Sequence, residues 1–309
     1  MLREVLLSVS RSEKLKQVAT DAAPARAMVD RFVAGERTED AVRATAELAA
    51  SGRLVTIDHL GEDTLELAQA TSTRDAYLAL LDALGAAGLT DRAEVSVKLS
   101  AVGQALPGDG EKIARDNALA ICERAATYGT TVTLDMEDHT TTESTLGILR
   151  ELRLDFPGTG GVLQAYLRRT EADCRDLVTH GSRIRLCKGA YREPESVAFT
   201  DRGEVDRAYV RCMKILMQGD GYPMLATHDP RLVEIGGALA VRNDRQPGSY
   251  EYQMLYGVRP DEQARLTAQG ERMRVYVPYG DEWYGYLVRR LAEKPTNLTL
   301  LARALVSKG

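Results

Sequence analysis

The chain has 309 residues, 44% of them hydrophobic and 28% charged, with a formal net charge of −5 at pH 7. That is enough apolar material for a large core and enough charge for a soluble surface, and the lack of a long basic run argues against nucleic acid as a partner. The N-terminal stretch MLREVLLSVSRSEKLKQ carries Arg3 and is apolar over too short a span for a signal peptide or a membrane helix, which leaves peripheral contact with a membrane open.

In chain order, residues 1–50 read as an N-terminal helical segment, Ala-rich and amphipathic, that either covers the following domain or mediates self-association. Beyond it, β-rich runs recur at residues 53–57, 94–99, 130–134, 161–166, 183–187, 223–226, 250–255 and 273–277. Most gaps hold helical patterns, among them 113–128, 140–154, 171–180 and 205–218. Strands alternating with helices predict an α/β fold, a TIM-like (β/α)8 barrel over residues 51–309, since each parallel crossover is right-handed and the length suits one such domain. A doubly wound open sheet is the alternative. The runs look continuous or weakly alternating in hydrophobicity, as in strands covered on both faces. Residues 242–249, with Pro247 and Gly248, read as a surface loop.

The four cysteines, Cys122, Cys174, Cys187 and Cys212, are far apart, with no CxxC and no histidine at ligand spacing. No metal is expected, Cys187 reads as core, and a reducing cytoplasm suits the chain better than secretion.

The informative regularity lies at the strand ends. The first run ends at Asp58, the second at Lys98 and Ser100, the third at Asp135 and Glu137, and the fourth carries Gln164. The fifth ends in Lys188-Gly189-Ala190 and the sixth in Thr227-His228-Asp229, while the last includes Tyr276 and is followed by Tyr279. In a barrel these ends converge on the C-terminal mouth, where active sites of this architecture sit. Each residue also has a plain structural alternative. Lys98 could snorkel from a strand end, Asp135 could cap a helix, and Arg185 could be a solvated edge residue. Lys188-Gly189-Ala190 could be an ordinary turn, and His228 lacks a nearby second histidine for a metal. No GxGxxG fingerprint is present, so a Rossmann-type dinucleotide site is not supported.

After the last run, the segment YLVRRLAE places Tyr286, Arg289, Arg290 and Glu293 within one narrow arc of a helix. Two adjacent guanidiniums beside a phenol and a carboxylate suit a clamp on a small carboxylate. On spacing alone the same pattern is a solvated face, whose Arg–Glu pairs are worth roughly 0.2–0.5 kcal/mol each.

Taken together these residues resemble the proline dehydrogenase family, flavoenzymes that oxidise L-proline to Δ1-pyrroline-5-carboxylate. Over roughly residues 53–300 the segments LVTIDHLGE, VSVKLSA, TLDMED, LQAYLRRT, RIRLCKGAY, ATHD, YEYQMLYG, VYVPYG and YLVRRLAE stand in the family's order. The resemblance implies a distorted (β/α)8 barrel with additional N-terminal helices, FAD as cofactor, a quinone as electron acceptor, and the monofunctional form of the enzyme. It also implies a place in the cytoplasm or at the inner face of the cell membrane. By the same resemblance Lys98, Arg289 and Arg290 bind the proline carboxylate; Glu293, on the same helical arc, joins the substrate-binding set, and Tyr191, Tyr276, Tyr286, Leu186 and Leu255 are candidates to wall the ring. Asp135 and Arg185 match the catalytic-site positions beside the flavin. Met136, Gln164, Arg185, Lys188, Gly189, Ala190, Thr227 and His228 match those that hold FAD. Arg192 departs from the pattern, because many relatives carry tryptophan after KGAY. Two other classes of protein share parts of this constellation: a Schiff-base lyase or aldolase barrel with Lys98 or Lys188 as nucleophile, and a barrel that has lost catalysis and serves as an interaction protein.

Overall fold

Alternation along each strand decides the architecture. In the computed structural model, which describes residues 29–62 and 64–287, helix α1 (Thr38–Ala50) precedes eight strands. These are β1 (Leu54–His59), β2 (Ala93–Lys98), β3 (Val132–Asp135), β4 (Gly160–Gln164), β5 (Arg183–Cys187), β6 (Tyr222–Ala226), β7 (Glu251–Leu255) and β8 (Met273–Tyr279). The helices between them are α2 (Leu67–Ala86), α3 (Gly110–Thr127), α4 (Thr142–Asp155), α5 (Thr170–Leu177), α6 (Arg202–Gln218), α7 (Pro230–Arg242) and α8 (Pro260–Ala268). Strands pair in parallel in chain order and β8 returns to β1, so the sheet is a closed (β/α)8 barrel and the open-sheet alternative falls. Helix α1 packs on β1 and β8, and the chain just before it is tied to the barrel where Ala34 N donates to Pro278 O at 3.0 Å.

Every second strand residue faces the helices. Val55, Ile57, Val95, Val97, Val132, Leu134, Ile184, Leu186, Leu225, Met254, Val275 and Val277 are buried there with Tyr77, Leu80, Leu81 and Leu84 of α2 in one continuous apolar cluster. The intervening residues face the lumen, and most of them are polar: Thr56 and Asp58, Glu94, Ser96 and Lys98, Thr133 and Asp135, Arg183 and Arg185, Glu251 and Gln253, Arg274 and Tyr276. The weakly alternating pattern expected from the sequence is therefore corrected. Both faces are covered, yet period two is strong, because one face meets apolar helices and the other a hydrogen-bonded polar interior. Cys187, read as core, shares the lumen face of Arg185 and is only half-buried.

The lower lumen is an ionic floor. Glu94 accepts from Arg183 Nη2 at 2.5 Å, Thr56 Oγ1 at 2.7 Å and Thr131 Oγ1 at 3.0 Å. Glu251 accepts from Arg274 Nε at 2.6 Å and from the Tyr222 hydroxyl at 2.9 Å, and Arg274 also lies 3.8 Å from Glu94. Burial opposes ionisation of Glu94, but Arg183, Arg274 and Arg185 outweigh it and hold the carboxyl below its ordinary range. A group with a depressed folded value contributes stability above its unfolded value, here near 4.5, and loses it as pH falls through the folded one. Glu94→Gln should therefore cost about 3–5 kcal/mol at neutral pH by leaving buried arginines short of a charge partner. Urea unfolding followed from about pH 7 to pH 3 should also show a shallower acid loss in the variant than in the wild type.

Candidate active site

One layer above the floor, β5 carries Arg185 into the lumen, where it is 3% exposed. Its Nε donates to Gln253 Oε1 at 2.6 Å, and its Nη1 donates to Asp135 Oδ1 at 2.7 Å and to Ser96 Oγ at 2.9 Å. The remaining nitrogen, Nη2, has no hydrogen-bond partner among the described residues and lies 3.8 Å from Glu94. The other oxygen of Asp135 accepts from the Tyr276 hydroxyl at 2.7 Å, and the guanidinium carbon of Arg185 stands 5.3 Å from the Tyr276 ring centroid. Asp135 is thus no helix cap and Arg185 no solvated edge residue. Burial disfavours a charged Arg185, but Asp135 and Glu94 outweigh it and keep the guanidinium firmly protonated. Burial and then Asp135 push the Tyr276 phenol well above its ordinary value, so it remains a donor.

Lys98 sits beside this group, in register with Asp135 across β2 and β3. Its ammonium donates to Asp58 Oδ2 at 2.6 Å, with the two side chains 12% and 1% exposed. Burial works against the charged lysine, but Asp58 and then Asp135 overcome it, so Lys98 lies above the ordinary lysine range. Burial drives Asp58 the other way, above the usual carboxylate range, with Lys98 opposing. The buried Tyr77 hydroxyl of α2 packs beside this pair, donating to Ser96 O at 2.7 Å with Asp58 Oδ1 3.4 Å away. Leu255 is in register with Tyr276 across β7 and β8, which puts it on the lumen face at the mouth.

The rim around the mouth is built from the following loops. Lys188 donates to Asp206 Oδ1 at 2.5 Å and to Asp229 Oδ2 at 3.2 Å. Asp229 caps α7 and is held below the usual carboxylate range by Arg231, against burial and with help from Lys188. The amide of Leu255 donates to His228 Nε2 at 2.9 Å, which makes that nitrogen an acceptor and assigns the ring proton to Nδ1. Gln164 Nε2 donates to Glu137 O at 2.7 Å, and Thr227 Oγ1 accepts from Asp229 N at 3.1 Å. Met136 is buried and Ala190 exposed. Gly189 has a φ of 116°, and a Cβ there would come within 2.2 Å of the Tyr166 ring, so the close approach that glycine permits is to a tyrosine of the chain itself.

The structure therefore gathers Lys98, Asp135, Arg185, Tyr276 and Leu255 at the top of the lumen, with Gln164, Lys188, Gly189, Thr227 and His228 around the rim. Tyr191 lies half-buried in the loop after β5, and Tyr286 is 7% exposed in the helical turn after β8. Leu186 is a correction. It alternates with Arg185, is fully buried, and belongs to the helix-facing cluster rather than to a wall of the lumen. Arg289, Arg290 and Glu293 lie outside the described residues. Sequence reasoning passed over Asp58 as a partner of Lys98 and missed Ser96, Tyr77 and Gln253 altogether. A period-two count from Lys98 and Leu255 would have found Ser96 and Gln253, whereas nothing local points to Tyr77. Among the described residues there is no group of three or more His, Cys, Asp or Glu arranged to hold a metal ion.

The sequence profile of the family described as "Proline dehydrogenase" matches residues 41–303. Proline dehydrogenase 1 of Bacillus subtilis is 36% identical over 308 residues, covering 100% of both chains. Proline dehydrogenase of Deinococcus radiodurans is 37% identical over 308 residues, covering 99% of this chain and 98% of that one. Among solved structures, proline utilization A from Bdellovibrio bacteriovorus inactivated by N-propargylglycine superposes with a TM-score of 0.80 at 27% identity, covering 87% of this chain and 33% of that longer one. With a profile match over most of its length and relatives of this identity along the whole of it, the chain belongs to the proline dehydrogenase family.

Proposed function

We propose that this oxidoreductase oxidises L-proline to Δ1-pyrroline-5-carboxylate with FAD, a quinone taking the electrons onward. The observation that carries the proposal is the buried Arg185 guanidinium, fixed by Asp135, Ser96 and Gln253 beneath a mouth of matching family residues. The donor set suits the cofactor. Arg185 and Lys188 are cations, and Gln164 and His228 are neutral polar groups, as a dianionic diphosphate and an electron-rich reduced ring require. Arg185, Lys188, Gly189, Ala190, Met136, Gln164, Thr227 and His228 would hold FAD, whose chemistry is to accept the C5 hydride of proline at flavin N5. Residues 1–50 are assigned to an N-terminal helical segment and 51–309 to the catalytic barrel.

Lys98, together with Arg289 and Arg290 of the segment YLVRRLAE, anchors the proline carboxylate, and Glu293 of the same segment is assigned to that substrate-binding group. Asp58 balances Lys98 without deprotonating it. The result is a cation for a carboxylate and not the amine with a lowered pKa that a Schiff-base barrel needs. Tyr276, Leu255, Tyr191 and Tyr286 confine the ring. Asp135 ties Arg185 and Tyr276 to one carboxylate, so the cation and the wall of the pocket hold a common geometry. With its amine deprotonated, proline can lose hydride from C5 as the nitrogen lone pair forms the C=N bond, and release of the N–H proton leaves the imine. Among the described residues no helix is long and apolar enough to cross a membrane, and we assign the chain to the cytoplasm or to the inner face of the cell membrane.

The direct test is a visible absorption spectrum followed by anaerobic addition of L-proline. Flavin bands that bleach with proline are expected. A protein that binds no FAD, or a flavin that stays oxidised, would sink the assignment. Arg290→Lys keeps the charge and loses the planar fork, so kcat/KM for proline should fall by about 10- to 100-fold with FAD retained.

A further inference from the structure

Glu193 is a buried carboxylate that the proposed chemistry does not use. It lies two residues beyond Tyr191 in the loop after β5, with its side chain 2% exposed. The donors around it come from two other loops. The backbone N–H of His139, in the loop after β3, donates to Glu193 Oε1 at 2.9 Å. The His139 ring pairs through Nδ1 with Glu193 Oε2, and the Tyr166 hydroxyl, just after β4, donates to Oε1 at 3.2 Å. Burial and then Glu193 raise the Tyr166 phenol above its ordinary range, so it stays a donor. The same tyrosine lies against the backbone of Gly189, and its N–H donates to Lys188 O at 2.9 Å. Both ends of the segment from Lys188 to Glu193 are thereby pinned to the loops after β3 and β4, and a buried carboxylate without those donors would carry a heavy desolvation cost.

We propose that Glu193 and His139 form a latch that holds the segment 188–193 across the barrel mouth, positioning Tyr191 and the backbone that faces FAD. They are positioning residues, acting through the loop and touching neither substrate nor cofactor. The proposal rests on the assignment of this mouth to FAD and proline, and it adds two residues that nothing in the family's signature segments singles out. The segments TLDMED and RIRLCKGAY stop short of His139 and Glu193 respectively. A latch of this kind predicts which replacement works. The side-chain amide nitrogen of asparagine can donate from near the place of Nδ1, whereas alanine offers no donor.

Amide hydrogen exchange of residues 188–199 should be compared among wild type, His139→Ala and His139→Asn, with and without FAD, alongside proline KM and FAD retention on gel filtration. His139→Ala should exchange faster in that segment even without FAD, raise proline KM about tenfold, equivalent to about 1.4 kcal/mol, and retain less FAD. His139→Asn should stay near wild type. Exchange, KM and FAD retention all unchanged in His139→Ala would overturn the latch, as would a folded His139→Asn that fails as badly. If His139→Ala does not fold, Glu193→Gln, which keeps one carbonyl acceptor, carries the same comparison: intermediate loosening supports the latch and wild-type behaviour overturns it. Wild-type protein that binds no FAD overturns the functional assignment instead, while exchange in the FAD-free protein still judges the latch.

Discussion

A barrel lined with polar side chains must balance its charges where water cannot do so, and this constraint organises the molecule. Four acids, Asp58, Glu94, Asp135 and Glu251, share the lumen with four bases, Lys98, Arg183, Arg185 and Arg274, and each acid is paired with one of the bases. Desolvating any one of these ions alone would be expensive, and their mutual attraction offsets the cost only while every partner is in place. The strands therefore tolerate polar residues on one face because the other face supplies an uninterrupted apolar layer against the helices.

The floor and the site are one electrostatic body. Arg185 stands within 3.8 Å of Glu94 below it and donates to Asp135 beside it, so its position answers to both layers. Such a guanidinium needs little reorganisation when charge develops nearby, which is the advantage of placing the pair on rigid strands rather than on loops. Lys98 is set by the same means, but nearer the solvent and against Asp58. Its charge is kept, and the balance it reaches with Asp58 can shift when another anion approaches.

The mouth depends on loops, and loops need ties of their own. Lys188 spans to Asp206 and Asp229, His228 is oriented by the amide of Leu255, and Glu193 gathers donors from the turns after β3 and β4. Apart from Lys188 with Asp206, which both follow β5, these ties cross from one strand's loop to another strand or its loop, so the rim is stitched around the circumference above the barrel.

Much of the fold was legible in the sequence. The eight runs and most of their intervening helices were readable from hydrophobic periodicity, and the polar strand ends pointed to the mouth. Alternation in VTLD, RIRLC and MRVYV also assigns Asp135, Arg185 and Tyr276 each to one face of its strand. What alternation does not contain is the partner. Arg185 meets Asp135 across 50 residues of sequence and Tyr276 meets Asp135 across 141, distances at which no local pattern selects one carboxylate over another. Leu186 shows the converse, because proximity to Arg185 in sequence put it beside the site while strand parity sends it to the other side of the sheet. The sequence by itself determined which residues form strands and which face each presents, because both follow from local geometry. Closure of the barrel decided which charges meet, because only the ring of strands brings those faces to one axis and removes the water that would otherwise have screened them.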